Sequence, residues 1–241
     1  AAVPAAAEGL PVRLRLLAAD GAGHASLLTP GRRGVGSTVL AEKICGAAAE
    51  EGYDHQALAD CCRRVNLNGR SLGIALSSCT PPARGEPIFA IGDDEIEFGI
   101  GIHGEPGRQR LPLQTADALT DRLTSAILDD GPYTRTVREW DETQEGWSDV
   151  ELTDEPLRRG DRVLAFVNGM GGTPLAELYV VYRRLAEVCA RRQIRIERSL
   201  IGSYITSLDM QGVSITLLRL DEELLRLWDA PVRTPALRWG I

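Results

Sequence analysis

The run Glu95–Gly107, EIEFGIGIHGEPG, constrains the fold of this chain more than any other stretch. Ile96, Phe98, Ile100 and Ile102 recur at every second position, the repeat of a strand with one face in a core. The opposite face carries Glu95, Glu97, Gly99 and Gly101, and the next residue of that parity is His103. Two positions without side chains clear space beside one imidazole, and Pro106 stiffens the turn behind it. Upstream, Leu72–Ser77 (LGIALS) reads as a second strand, with no helical pattern between the two. Strands strung together without a crossover helix, in a chain that elsewhere alternates strands and helices, imply an α/β sandwich on a mixed β-sheet.

The alternation is legible in both directions. A helix is expected from Val35 to Glu51, stopped by Gly52, and a second behind Asp54 as its cap, with Leu58, Cys61, Cys62 and Val65 near one side. Thr115 caps a helix to about Leu128, with Leu119, Leu123 and Ile127 four apart. Asp161–Asn168 is an apolar strand, and Gly169-Met170-Gly171-Gly172 turns it into a helix over Leu175–Arg191, with Thr173 expected as N-cap and Pro174 at the first helical position. Strands at Ile194–Ile201 and Val213–Leu220 and a short helix over Asp221–Trp228 complete the order. Ala1–Pro11 reads as a helix tail and exit turn, and Val12–Leu17 as a strand. Residues Asp129–Gly160 hold Tyr133, Trp140 and Trp147 among acids and arginines with no sustained period. That stretch is expected to be an irregular loop, docked on the body or on a partner as a lid or interface.

With 241 residues and 44% hydrophobic content the chain can bury one large core. A net charge of -7 and scattered arginines argue against a nucleic-acid surface. Five cysteines without CxxC or Cys/His spacing indicate neither a zinc site nor a disulfide framework. The absence of an apolar run near 18 residues argues against a membrane span, and Ala1–Ala7 lacks the pattern of a signal peptide, so the expected location is the cytoplasm.

For His103 the residues alone leave four roles open: base, metal ligand, nucleophile, or hydrogen-bonded turn residue, with Glu105 either fixing its tautomer or facing solvent. Asp209, before Gly212, is either an acid–base group or a local hydrogen-bonder. The turn Gly169–Gly172 offers backbone N–H groups to an anion or simply allows tight packing. Cys79 has nothing beside it to lower its pKa and is expected to pack. Tyr179 and Tyr182 read as packing or dimer residues.

GIGIHGEPG resembles the segment of the dihydroxyacetone kinase (glycerone kinase) K subunit whose histidine captures the substrate carbonyl as a covalent hemiaminal. TPGRRGVGSTVL (Thr29–Leu40), GAAAEEG (Gly46–Gly52), LSSCTPPARGEP (Leu76–Pro87), VNGMGGTPLAELYVVYRR (Val167–Arg184) and TSLDMQGVSITLLRLDEELL (Thr206–Leu225) are similar to that family in the same order. The resemblance implies the K-type C-terminal lobe over 53–241, with an inserted loop at 129–160, and a remnant of the first lobe with its connecting helix over 1–52. It implies His103 as covalent anchor for a small hydroxyketone, with Gly101, Gly104 and Glu105 around the substrate. Arg32 and Arg33 become candidate contacts for a nucleotide-bearing L-type partner, and the loop around Asp209 is expected at the edge of the sheet. The family's first-lobe Gly-Gly-Gly-Ser-Gly-His-Glu-Pro loop and base aspartate do not stand here, although Asp20–His24 echoes part of that loop and makes His24 a weaker candidate. ATP and magnesium are implied on the L-type domain, with no metal on this chain, a further first-lobe chain as partner, and a homodimer. A phosphotransferase component is the leading expectation. A non-catalytic hydroxyketone sensor or scaffold, and a truncated relative repurposed for other carbonyl chemistry, are the alternatives.

Overall fold

A computed structural model of the chain describes residues 17–20, 32–101, 107–141 and 146–240. The expectations for Ala1–Pro11 and most of Val12–Leu17 lie outside these residues. Helix α1 (Gly36–Glu50) ends where Gly52 takes φ 84°, and the N–H groups of Glu51, Gly52 and Tyr53 return to carbonyls of its last turn. Helix α2 (His55–Asn68) starts at Asp54, whose carboxylate accepts from Ala57 N at 2.8 Å, as its sequence predicts. Strand β1 (Gly69–Ala75) follows without a loop. Gly69 permits this: a Cβ there would stand 2.4 Å from Ser37 Oγ. Strands β2 (Glu95–Phe98) and β3 (Gln109–Pro112) precede α3 (Ala116–Leu128), which Thr115 caps through Ala118 N.

The stretch expected to be an irregular loop is instead a β-hairpin, β4 (Tyr133–Asp141) and β5 (Gly146–Asp154), paired in register from Tyr133↔Asp154 to Asp141↔Gly146. Its polar and aromatic residues obscure the strand repeat because the hairpin forms a separate two-stranded sheet rather than a strand of the main core. Strand β6 (Arg162–Gly169), helix α4 (Leu175–Arg191), strands β7 (Arg195–Gly202) and β8 (Gly212–Arg219), and helix α5 (Glu222–Asp229) follow, then the short pair β9 (Val232–Arg233) and β10 (Arg238–Trp239). Thr173 is not the cap of α4. Pro174 occupies that position, while the Thr173 hydroxyl donates to Gly212 O and accepts from Gly212 N, both at 2.8 Å, joining the start of α4 to the start of β8.

The main sheet has the order β3-β2-β1-β8-β6-β7, with β6 and β7 parallel and every other neighbouring pair antiparallel. It is mixed, as expected. One face (Leu72, Ile74, Val163, Val167, Ile215, Leu217) packs on Leu119 and Leu123 of α3 and Leu178 and Leu185 of α4. The other (Leu164, Phe166, Leu218) packs on Leu40 and Ile44 of α1, Val65 of α2, and Leu224 and Leu227 of α5. Each fully buried leucine of this kind contributes about 1.5–3 kcal/mol, so a sheet covered on both faces supplies the rigid frame on which end loops can be held.

Candidate functional site

Strand β2 stops at Phe98, earlier than the alternation predicts. Gly99 has φ 86°; its N–H still reaches Gly73 O at 2.7 Å, but the left-handed turn swings the following chain out of the ladder. Ile100 stays buried, yet it packs with Ala75, Cys79, Met170 and Met210 rather than with Ile96 and Phe98. Gly101 is buried as well. On the return, Arg108 N donates to Phe98 O at 2.6 Å and Gly107 N to Glu97 Oε1 at 3.0 Å, while Arg110 Nε donates to Glu97 Oε2 at 3.1 Å. A Cβ on Gly107 would stand 2.4 Å from Phe98 O. Glu97 therefore does not line an open face: it is 8% exposed and grips the far root of the β2–β3 connection. His103, Gly104 and Glu105 lie in the middle of that connection, outside the described residues.

A second loop is rooted beside the first. Asp20, 2% exposed, forms a bridge with Ser71 of β1, and its N–H donates to Arg33 O at 2.9 Å. Arg33 Nε donates to Asp20 Oδ2 at 2.5 Å, and Arg33 Nη2 to Gly99 O at 3.1 Å. The ends of segment 21–31 and the start of the His103 connection thus share one guanidinium. His24 lies within 21–31, outside the described residues. Arg32 turns the other way: its side chain is wholly buried, pairs with Asp130 at 2.7 Å, and stacks 4.3 Å from the Tyr133 ring centroid. That position ties the loop to the hairpin and withholds Arg32 from the surface where a partner would meet it.

Behind these roots the sheet face is polar. Ser71 and Gly73 of β1 stand opposite Thr216 and Ser214 of β8, and Asn168 of β6 stands opposite Ser214. Ser71 Oγ and Thr216 Oγ1 are 2.9 Å apart, and a Cβ on Gly36 would stand 2.1 Å from Thr216 Oγ1, so α1 begins directly on this patch. Asn168 accepts from Tyr204 N and Ile205 N at 2.9 Å and donates to Ile205 O at 2.7 Å, which fixes the loop after β7. Sequence reasoning passed over these residues. The available signal was the small polar residue at every second place in GRSLG and VSITL, on the face opposite the branched residues.

The glycine turn after β6 is exposed on one side and packs tightly against the loop before β8 on the other. A Cβ on Gly171 (φ 125°) would stand 1.9 Å from Leu208 O, and Gly172 N donates to Met210 O at 2.8 Å. The loop 203–211 runs from the edge strand β7 to the central strand β8, crossing the end of the sheet from edge to centre. Asp209 is exposed there and accepts from Thr80 N at 2.7 Å, a tie to the loop after β1 rather than a bond within its own turn. Cys79 is buried and accepts from Ser207 Oγ at 3.4 Å.

Charge is also buried under the hairpin. Arg70 is 1% exposed, with Nε 3.2 Å from Asp130 and Nη1 3.5 Å from Asp154; Asp154 takes Arg135 Nη1 at 2.7 Å. Burial lowers the Arg70 pKa and raises that of Asp154, and in each case the opposite charges beside the group work against that shift. Nothing in the sequence separates these residues from solvated ones.

Fold and roots together define an α/β protein on a mixed sheet with helices on both faces and two connections rooted side by side on it. The Dak1 domain model matches residues 1–236, and the chain belongs to the Dak1 domain family. It is 52% identical over 233 residues to the dihydroxyacetone-binding subunit DhaK of the PEP-dependent dihydroxyacetone kinase of Escherichia coli, an alignment covering 97% of this chain and 65% of that protein. It is 34% identical to human triokinase/FMN cyclase, covering 98% of this chain and 37% of that one. Among solved structures, the dihydroxyacetone kinase operon co-activator Dha-DhaQ superposes with a TM-score of 0.79 at 26% identity, covering 95% of this chain and 64% of that one. The C. freundii dihydroxyacetone kinase in complex with AMP-PNP and Mg2+ gives 0.72 at 26% identity, covering 95% and 37%. The chain therefore spans just under two thirds of the bacterial subunit it resembles. Among the described residues no helix is long and apolar enough to cross a membrane.

Proposed function

We propose that this chain is the substrate-capturing part of a dihydroxyacetone-kinase-like phosphotransferase and that His103 binds a small hydroxyketone covalently. The observation that carries the reading is the 52% identity, over 97% of the chain, to a protein named for binding dihydroxyacetone. The position of His103, midway between the anchored residues Gly99 and Gly107, supports it. A ring nitrogen adds to the carbonyl carbon, the C=O electron pair moves to oxygen, and that oxygen takes up the proton the ring gives up. Nothing leaves. A polyol has no carbonyl to accept the nitrogen, so this chemistry selects short ketoses over glycerol. Gly101, Gly104 and Glu105 complete the substrate surroundings in this reading, with His24 and Asp209 as lesser candidates.

Phosphoryl transfer needs a donor held in line and a group to orient the hydroxyl. In this reading ATP and magnesium come with an L-type partner, and a first-lobe chain over and above the remnant in 1–52 supplies the rest. The 37% share of the C. freundii enzyme that the chain covers leaves room in that enzyme for such parts. Arg33 remains a candidate for the partner's docking site. A cytoplasmic homodimer belongs to the same reading, supported by the exposed Leu175 and Tyr179 on α4. The test is carbon-13 NMR with carbonyl-labelled dihydroxyacetone, followed by a phosphorylation assay with L-type and first-lobe chains added. A bound tetrahedral carbon that is lost in His103→Gln, and a phosphorylated product, are expected; a carbonyl signal unchanged by the protein overturns the capture.

The likeness to an operon co-activator favours a second reading, a hydroxyketone sensor. Calorimetric binding without turnover under every pairing of partners selects it.

A further inference from the structure

We infer that Arg33, held by Asp20, is a positioning residue for the His103 connection, setting where the imidazole meets the carbonyl; the inference rests on the capture reading above. The argument starts at Gly99. Its N–H completes the ladder to Gly73 O at 2.7 Å, and Phe98 O is taken by Arg108 N at 2.6 Å. At Gly99 φ is 86°, and strand β2 ends one residue before it. Arg33 Nη2 donates to the Gly99 carbonyl at 3.1 Å. The same guanidinium holds Asp20 through Nε at 2.5 Å, and Asp20 is fixed in turn by its bridge to Ser71 of the central sheet. The planar fork of arginine suits two acceptors in fixed directions, which a lysine ammonium matches less well.

The root of the connection at Gly99 is therefore held, four residues before His103, by a half-buried arginine whose carboxylate partner is grounded on β1. Glu97 sets the other root, four residues beyond the histidine, through Gly107 N at 3.0 Å. A reactive nitrogen must approach the carbonyl carbon along a narrow line, and small displacements slow such additions steeply. The task of this pair is orientation, not chemistry, and the rate of adduct formation reports it.

The experiment compares the wild-type chain with the double variant Asp20→Asn/Arg33→Met, which removes both charges of the pair, and with Arg33→Lys. Each is followed by thermal melting and by the rate at which carbonyl-labelled dihydroxyacetone becomes tetrahedral, measured well below the melting temperature. The double variant is expected to melt cooperatively yet form adduct about tenfold more slowly or worse, and Arg33→Lys to recover part of the rate. Adduct at the wild-type rate in the folded double variant overturns the inference. If that variant does not melt cooperatively, Arg33→Gln, whose shorter amide keeps a donor, carries the test: a slowed rate supports the inference and an unchanged one overturns it. No adduct in the wild type overturns the capture reading itself, a result distinct from fast adduct in both proteins.

Discussion

Gly99 and Gly107 bracket the histidine connection, and each is required for a different reason. Gly99 needs a left-handed backbone, and Gly107 needs the absence of a Cβ 2.4 Å from Phe98 O. Gly99→Ala is expected to destabilise the fold by about 1–2 kcal/mol, the left-handed penalty of an L-residue, readable by urea titration; an unchanged midpoint would show that the connection relaxes freely. Cys189 offers a second test at this scale. Burial pushes its thiol up to about 11, so almost no thiolate exists at pH 8. Native protein is expected to leave Cys189 unalkylated by iodoacetamide at that pH, with full labelling after denaturation. Rapid labelling of the folded chain would contradict its placement against the sheet. At this scale the sequence marked the glycines and the histidine, since missing side chains and a lone imidazole are visible as letters. It did not mark Asp20 or Glu97, whose importance comes from burial and from partners distant in sequence.

Among the elements, the β4–β5 hairpin and the α3–α4 pair are held by charge in opposite settings. Under the hairpin, Arg70 is buried between Asp130 and Asp154. Arg70→Met leaves Asp130 its pair with Arg32 and Asp154 its pair with Arg135 but strips both of a buried donor, and is expected to cost about 1–3 kcal/mol, measured as a fall in melting temperature; a loss near zero would mean that those two pairs suffice. Between α3 and α4, Arg184 takes both oxygens of Asp121, at 2.8 and 2.6 Å, at the surface. The hydrogen bonds from Arg184 hold the Asp121 pKa below its ordinary value. A depressed carboxyl stabilises the fold above its unfolded pKa of about 4 and loses that contribution as pH falls through the folded value. The melting difference between wild type and Asp121→Asn is therefore expected to be present at pH 7 and to vanish in acid. A constant difference would assign the effect to helix capping or packing. The α1, α2 and α3 boundaries were legible because Gly52, Asp54 and Thr115 announce them locally. The hairpin was not, because a two-stranded ribbon outside the core needs no apolar alternation.

For the whole molecule, one sheet serves two helical layers, and β1 and β8 lie at its centre. Their amides are expected to exchange with solvent slowest, opening only with global unfolding, whereas β3 and the β9–β10 pair exchange early. Equal protection of β3 and β8 would contradict this ordering. The mixed sheet was legible because two strand patterns follow one another without a helix. The polar strip of Ser71, Ser214, Thr216 and Asn168 was not, because serine and threonine in a strand look the same whether they face water or the foot of α1. The central claim, carbonyl capture by His103, is tested most directly by native mass spectrometry of the chain with dihydroxyacetone. The account predicts a species heavier by one whole ketone, with no water lost, that disappears in His103→Ala; an adduct that survives that substitution would contradict it.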